Sequence, residues 1–394
     1  MDQDLLLYLQ ASEREQFQLL QRLILQTSSS ADKAGVDRVG AILGEALADC
    51  DLELTIDNVE SYGNNLVFQS AACRSHQPHI LLVGHMDTVF PADNNFTSYR
   101  EDDLKAYGPG VCDMKGGLVT AVYLLKALQS RELLRRIPIV LICNSDEEIG
   151  SPNSADLIKS FAEKSCCALV FECGGTAGEI VTGRKGKCGY RLEVHGKAGH
   201  AGFFNRSGKA SAILELAHKT ILLEQLNDAQ KEMVLNVGRI EAGIAPNVVA
   251  EFGCAAIDTR FLTNEDGIFL KNSIEQIAAK STIAGTTSSV TRTNSRVPMD
   301  ESQGNLALYD IFRRQAALLD IPLKREIRSG VSDANTAAEC GIPVIDGLGP
   351  IGELDHSEDE YIVKGSLVPR CKLATLAVLE IWERQQQGGL EIQP

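Results

Sequence analysis

Apolar and polar residues change their spacing along the chain, and each change marks a different element. Phe17, Leu20, Leu23 and Ile24, then Val36, Val39, Leu43 and Leu47, recur every three or four residues. That spacing predicts helix through the N-terminal region, broken at Ser28-Ser29-Ser30. Beyond it come short, nearly continuous apolar runs: Ile80 to Val83, Ile139 to Ile142, Ala168 to Phe171 and Pro343 to Ile345. Runs of this length are what strands covered on both faces look like. Helical spacing returns between them, over Leu118 to Leu128, Ala155 to Ala162 and Ser366 to Arg384. Buried strands alternating with helices predict an α/β layer, a mostly parallel central sheet flanked by helices.

The middle of the chain follows another rule. From Cys188 to His195 apolar Tyr190, Leu192 and Val194 alternate with polar neighbours, as in a strand with one wet face. A helix (Ala210 to Leu223), strands at Met233 to Glu241 and Val248 to Phe261, a second helix (Asp266 to Lys280) and a polar strand (Ser288 to Val297) follow. The order βαββαβ is that of a ferredoxin-like domain. The expected organisation is a discontinuous α/β domain, residues 1–185 and 297–394, with a smaller domain at 186–296 inserted in it.

Composition narrows the function. Of 394 residues, 53 are acidic and 38 basic, a net charge of −15. Such a chain lacks the positive surface that nucleic-acid binding needs. No apolar run reaches the roughly 18 residues of a membrane span, and the acidic start, Met1-Asp2-Gln3-Asp4, lacks the features of a signal peptide. The cysteine count, 11, is odd and no CxxC pair occurs. That predicts free, mostly buried thiols in a reducing, cytoplasmic setting.

The chain has 7 histidines, so their positions carry weight. His85 follows the first buried run, in Gly84-His85-Met86-Asp87; Glu147 and Glu148 follow the second; Glu172 ends the third; His356 comes after the last. Asp113 lies in a glycine-rich turn, Gly108 to Gly117, that opens a helix. In open α/β sheets ligands bind beyond the carboxyl ends of the strands, so these distant residues should converge. Imidazoles with several carboxylates suit zinc, and a bridging carboxylate suits two ions. One of two adjacent glutamates is then left as a base. Asp87 is placed to take the other ring N–H of His85. His76, His79, His195 and His218 read as structural.

The ordered series GHMDTV, GVCDMKGG, DEEIGS, FE, GKAGHAG, PNVV, DTR, GVSDAN and DHSEDEY, from about residue 79 to 384, resembles the M20-type zinc metallopeptidases, the family of carboxypeptidase G2 and its aminoacylase and deacylase relatives. The resemblance implies His85 and Glu172 on one zinc, Glu148 and His356 on the other, Asp113 bridging both, and Glu147 as general base. Cobalt or manganese could substitute. It implies a cis Asp113-Met114 peptide, Asp87 as partner of His85, a catalytic domain at 1–185 and 297–394, and a lid and dimerisation domain at 186–296, with His200 reaching a neighbouring subunit's site in a homodimer joined through that lid. Asn247 and Arg260 would hold the substrate carboxylate, although a turn and an ordinary ion pair are competing readings. Arg184 and Lys185 read as a solvated charge pair rather than an anion site. The implied activity is that of a glutamate carboxypeptidase, hydrolysing an amide bond next to a free C-terminal carboxylate. An N-acyl-amino-acid deacylase with the same metal core is the alternative, and a non-catalytic protein of the same fold a remoter one. A nucleotide-binding reading of the Gly108–Gly117 turn fails because neither phosphate-loop spacing occurs there.

Overall fold

The structure is a computed structural model that describes residues 3–75, 77–91, 95–203 and 208–388. His76 lies outside them. The strands used below are β1 Leu52–Asp57, β2 Asn65–Ser70, β3 His79–His85, β4 Ile139–Asn144, β5 Ser165–Val170, β6 Gly186–His195, β7 Val234–Ala242, β8 Phe252–Phe261, β9 Thr287–Arg296 and β10 Val344–Ile345. The helices are α1 Gln3–Ala11, α2 Glu13–Leu25, α3 Lys33–Leu47, α4 Gly116–Ser130, α5 Ser154–Ala162, α6 Ala212–Glu224, α7 Asn264–Ala279, α8 Gln303–Leu318, α9 Asp333–Ala338 and α10 Leu367–Gln386.

The chain divides into two units, one of Met1–Gly183, Glu301–Ile327 and Ser332–Pro394, the other of Arg184–Asp300 with Arg328–Val331. The first holds a sheet in the order β1-β2-β4-β3-β5-β10. Its four strands β4, β3, β5 and β10 run parallel, in register from Ile80 opposite Ile139 and Val344 opposite Ala168. Every residue of β3 and β4 is buried, which is why their sequences are unbroken apolar runs. β1 and β2 extend the sheet antiparallel at one edge. α4 is buried along most of its length and packs against α10, α1 and α2. The layer therefore closes around a helix with almost no polar face.

Several helices start where the sequence supplies an N-cap. Asp32, Ser211, Thr263 and Ser302 each accept a backbone N–H three residues on.

The second unit is a four-stranded antiparallel sheet, β7-β8-β6-β9, with α6 and α7 on its apolar face. Its core joins Tyr190, Leu192 and Val194 to Leu216, Leu223, Leu270 and Ile274. The expected strand from Val248 to Phe261 is interrupted. Val248–Val249 leaves the sheet to pair with Gly199–His200, and β8 begins only at Phe252. Among the described residues no helix is long and apolar enough to cross a membrane.

Candidate metal and catalytic site

In the first unit the parallel strands deliver their last residues to one end of the sheet. His85 closes β3, Glu147 and Glu148 form the turn after β4, and Glu172 follows β5 by two residues. Asp113 sits in the turn before α4, with Gly110 at φ 73°. The Asp113–Met114 peptide is cis. Gly117 lets this turn approach the strand bearing Glu172, because a Cβ there would collide with the carbonyl oxygen of Phe171. His356 occupies the loop between strands Gly352–Glu353 and Tyr361–Val363 at φ 61°, a left-handed conformation that non-glycine residues adopt at a cost and mostly at functional positions.

These side chains meet. Asp113 Oδ1 lies 3.0 Å from His85 Nε2, while its other oxygen, Oδ2, lies 3.2 Å from His356 Nε2. Glu172 Oε1 approaches His85 Nε2 to 3.7 Å, and Glu148 Oε2 approaches His356 Nε2 to 3.3 Å. One carboxylate thus faces two imidazoles, each with a further carboxylate beside it. Ligand atoms of His85, Asp113 and Glu148 lie within 4.8 Å of one another, as do those of Asp113, Asp355 and His356. Asp355 was not anticipated from the sequence. It is exposed, whereas His85 is buried.

The electrostatics call for a cation. Burial pushes the carboxyls of Glu147 and Glu172 well above the usual carboxylate range, and the neighbouring Asp113 charge adds to both. Glu148 is raised to about 7 by burial and by Asp113. Contacts with Asp113 and Glu148 raise His356 to about 11. Burial works against a charge on His85, but Asp113 and Asp87 outweigh it and hold the ring well above its ordinary value. Burial also opposes ionisation of Asp113, yet the two histidines hold it below the usual range. Glu148 Oε1 is buried without a hydrogen-bond partner. Crowded carboxylates, a pair of imidazoles aimed at the same aspartate and an orphaned oxygen form a donor set that fits zinc. His85, Asp113, Glu148, Glu172 and His356 are the residues that could hold metal here.

The supporting contacts differ from expectation in one respect. His85 Nδ1 lies 3.0 Å from the backbone carbonyl of Asp87 and 3.4 Å from its carboxylate. The carboxylate of Asp87 also accepts Ser30 Oγ–H at 2.6 Å and the N–H groups of Glu147 and Glu148, both at 3.2 Å. Buried Asp333 braces the same turn from beneath, accepting from Asn144 Nδ2 at 2.7 Å and Ser151 Oγ at 2.6 Å. Asp146 takes the N–H of Asn153 at 2.7 Å. Ser30, Asp146 and Asp333 were assigned no role from the sequence. Asp146 and Asp333 stand inside DEEIGS and GVSDAN, and only that placement marks them.

Two expectations are overturned. Cys112 and Cys173 form a disulfide, so the chain carries a bridge and nine free thiols rather than eleven. Each cysteine adjoins a candidate ligand, Asp113 or Glu172, and the convergence of those loops brings the Cα atoms to 5.3 Å, within bridging range. A separation of 61 residues left no local signal of it. Arg184 and Lys185 are not a solvated pair. Both are buried, Arg184 donating to the carbonyl of Gly330 at 2.9 Å and Lys185 pairing with Glu232 at 3.0 Å. His79 is buried, edge-on to Phe161, and burial lowers it to about 4, whereas His195 and His218 are exposed.

The remaining candidates lie in the second unit. His200 is exposed, its Nδ1 accepting the N–H of Gly202 at 3.1 Å. Asn247 is also exposed and close by, its carbonyl accepting the N–H of Ala201 at 3.0 Å. Arg260 is on β8, its Nε 2.9 Å from Asp258 and its Nη1 3.4 Å from the carbonyl of Ser329.

Comparison with known proteins bears on this arrangement. The model of peptidase family M20/M25/M40 matches residues 81–380. Carboxypeptidase G2 of Pseudomonas sp. (strain RS-16) is 27% identical over 359 residues, 89% of this chain and 85% of that one. Acetylornithine deacetylase of Myxococcus xanthus is 29% identical over 226 residues, 54% of this chain and 58% of its own length. The fold is shared with the aminopeptidase PepT of Bacillus cereus ATCC 10987, at a TM-score of 0.77, 22% identity and coverage of 93% of this chain and 98% of that one. It is shared too with the metallo-carboxypeptidase Sso-CP2 of Sulfolobus solfataricus, at 0.69, 16% identity, and 92% and 98% coverage.

Proposed function

The chain belongs to peptidase family M20/M25/M40, a metal-dependent hydrolase family, and from that premise we propose that it is a di-zinc carboxypeptidase that cleaves the amide bond next to a free C-terminal carboxylate. The observation that carries the reading is the Asp113 carboxylate, with one oxygen toward His85 and the other toward His356. A carboxylate so divided is what a bridge between two ions requires. The similarity to carboxypeptidase G2, across most of both chains, supports a carboxypeptidase, and the motif resemblance to glutamate carboxypeptidases supports a substrate ending in Glu.

When bound, the ions polarise the scissile carbonyl and make water a nucleophile at neutral pH. Glu147 does the proton work. Its N–H is fixed on Asp87, and its half-buried side chain stands beside the ligand cluster. From there it accepts the proton of the attacking water at a carboxylate oxygen and delivers it to the leaving nitrogen. Arg260 and Asn247 bind the substrate carboxylate, for which a guanidinium fork has the right shape. Binding then requires Arg260 to give up part of its contact with Asp258.

An N-acyl-amino-acid deacylase is the second reading, favoured by the acetylornithine deacetylase similarity. The same donor set serves both.

Metal analysis with a substrate panel tests the proposal. Purified protein is expected to hold close to two zinc equivalents per chain, lost on chelation together with activity. Dipeptides ending in Glu, Asp, Arg, Leu or Ala, compared with the matching N-acetyl amino acids, should show the highest kcat/KM for a peptide ending in Glu. Full activity of the metal-free protein would reject the metal centre; preference for the acetylated compounds would select the deacylase.

A further inference from the structure

Behind the metal-facing residues lies a buried carboxylate to which nothing above gives a task. Glu360 has no exposed surface. Its Oε1 accepts the N–H of Cys112 at 2.7 Å and of Asp113 at 2.9 Å, and its Oε2 accepts that of Gly110 at 2.9 Å. All three donors belong to the one turn that carries Asp113. Within the turn, the N–H of Lys115 is already given to the carbonyl of Gly110 at 2.8 Å. The ring of peptides around Asp113 is therefore closed on itself and filled by the carboxylate.

Glu360 is itself held firmly. The next three residues, Tyr361–Val363, form a strand paired with Lys105–Tyr107, and its own N–H is donated to Ser357 at 3.2 Å. That hydrogen bond closes the loop whose other end carries His356, four residues upstream. One side chain thus spans the two segments that bring Asp113 and His356 together.

We propose that Glu360 is a positioning residue for the metal centre: by gathering the N–H groups of Gly110, Cys112 and Asp113, it sets the turn so that the two oxygens of Asp113 already point at His85 and His356 before a metal arrives. This rests on Asp113 being the bridging ligand. A carboxylate offers lone pairs to all three donors. An amide of the same shape would aim an NH2 group at one of them and leave it unpaired. Partners that orient metal ligands cost about 10–100-fold in metal affinity when removed.

The experiment compares wild type, Glu360→Gln, Glu360→Asp and Asp113→Asn. Zinc affinity is read by chelator competition, folding by far-UV circular dichroism of the stripped chains, and kcat and KM are measured separately. Glu360→Gln is expected to keep the circular dichroism spectrum, lose about 10–100-fold in zinc affinity and lose kcat with little change in KM. Glu360→Asp, which keeps a carboxyl group, should recover part of the loss. Wild-type zinc affinity in Glu360→Gln, with zinc lost in Asp113→Asn, would overturn the proposal and leave the bridging reading intact. Full zinc affinity in Asp113→Asn would reject the bridging reading itself, and this inference with it. If Glu360→Gln does not fold, hydrogen exchange on metal-stripped wild type decides. Slow exchange over residues 108–116 supports a turn set without metal, and exchange at the rate of an open loop overturns it.

Discussion

Two adjacent glutamates in different surroundings are the sharpest residue-level feature of the site. Glu148 faces His356 and has an orphaned oxygen. Glu147 shares the Asp87 anchor but stands outside the pairs formed by the histidines. Glu147→Gln is therefore expected to keep zinc and lose about 10²–10⁴-fold in kcat, because an amide cannot take the water's proton. Glu148→Gln should instead weaken zinc binding. Paired metal analysis and turnover would separate the roles, and zinc loss confined to Glu147→Gln would reverse them. Residues such as His85, Glu147 and Glu172 were legible because each stands where an apolar run ends. Ser30, Asp333 and the Cys112–Cys173 bridge were not. Their partners lie 57, 182 and 61 residues away, and no periodicity records a contact of that kind.

Among the elements, α6 and α7 are tied by a buried ion pair. Lys219 and Glu215, one turn apart on α6, are both fully buried and lie 3.0 Å from each other. Lys219 Nζ also caps the end of α7, donating to the carbonyls of Ile277, Ala278 and Lys280. Glu215 accepts the N–H groups of Thr282 and Ile283. Burial alone would raise the Glu215 carboxyl, but those donors and Lys219 outweigh it and its pKa is lowered. A depressed carboxylate contributes stability above its unfolded value, about 4.3, and loses it as pH falls through the lower folded value. Melting of the second unit should accordingly weaken steeply below about pH 4.3, as followed by calorimetry. Lys219→Met should cost about 3–5 kcal/mol at neutral pH, since it leaves a buried carboxylate without its cation. A neutral-pH melt equal to wild type would exclude that role. The parallel strands were legible because burial on both faces gives unbroken apolar runs. β1 was not, since its central four residues are exposed, and the break at Ala250–Glu251 follows from pairing with Gly199–His200 that no local pattern encodes.

For the whole molecule, β7 is an outer strand of the second unit's sheet. Val234 and Ile240 on it, with Ile213, Ile221 and Leu222 on α6, are exposed apolar side chains. We propose that this surface meets a second copy of the chain, in a homodimer in which His200 of one chain serves the other's metal site. Mixing equal amounts of His200→Ala and Glu147→Gln chains, each nearly inactive, is expected to restore up to about a quarter of wild-type activity, since half the dimers are then mixed and each mixed dimer has one intact site of two. Light scattering that finds only monomers, or exchange without recovery, would reject the shared site.

The divided first unit also sets an order of events during synthesis. Its chain stops at Gly183 and resumes at Glu301, and α10, residues 367–386, packs on α4, residues 116–130. At about 5–20 residues per second, the ribosome needs on the order of 12–50 s to pass from the end of one helix to the end of the other. Through that interval nearly all the second unit is available to fold, while the apolar flank of α4 waits for its cover. The newborn chain thus carries an uncovered apolar helix flank in its first unit until the last helix emerges, the kind of transiently exposed surface on which aggregation begins.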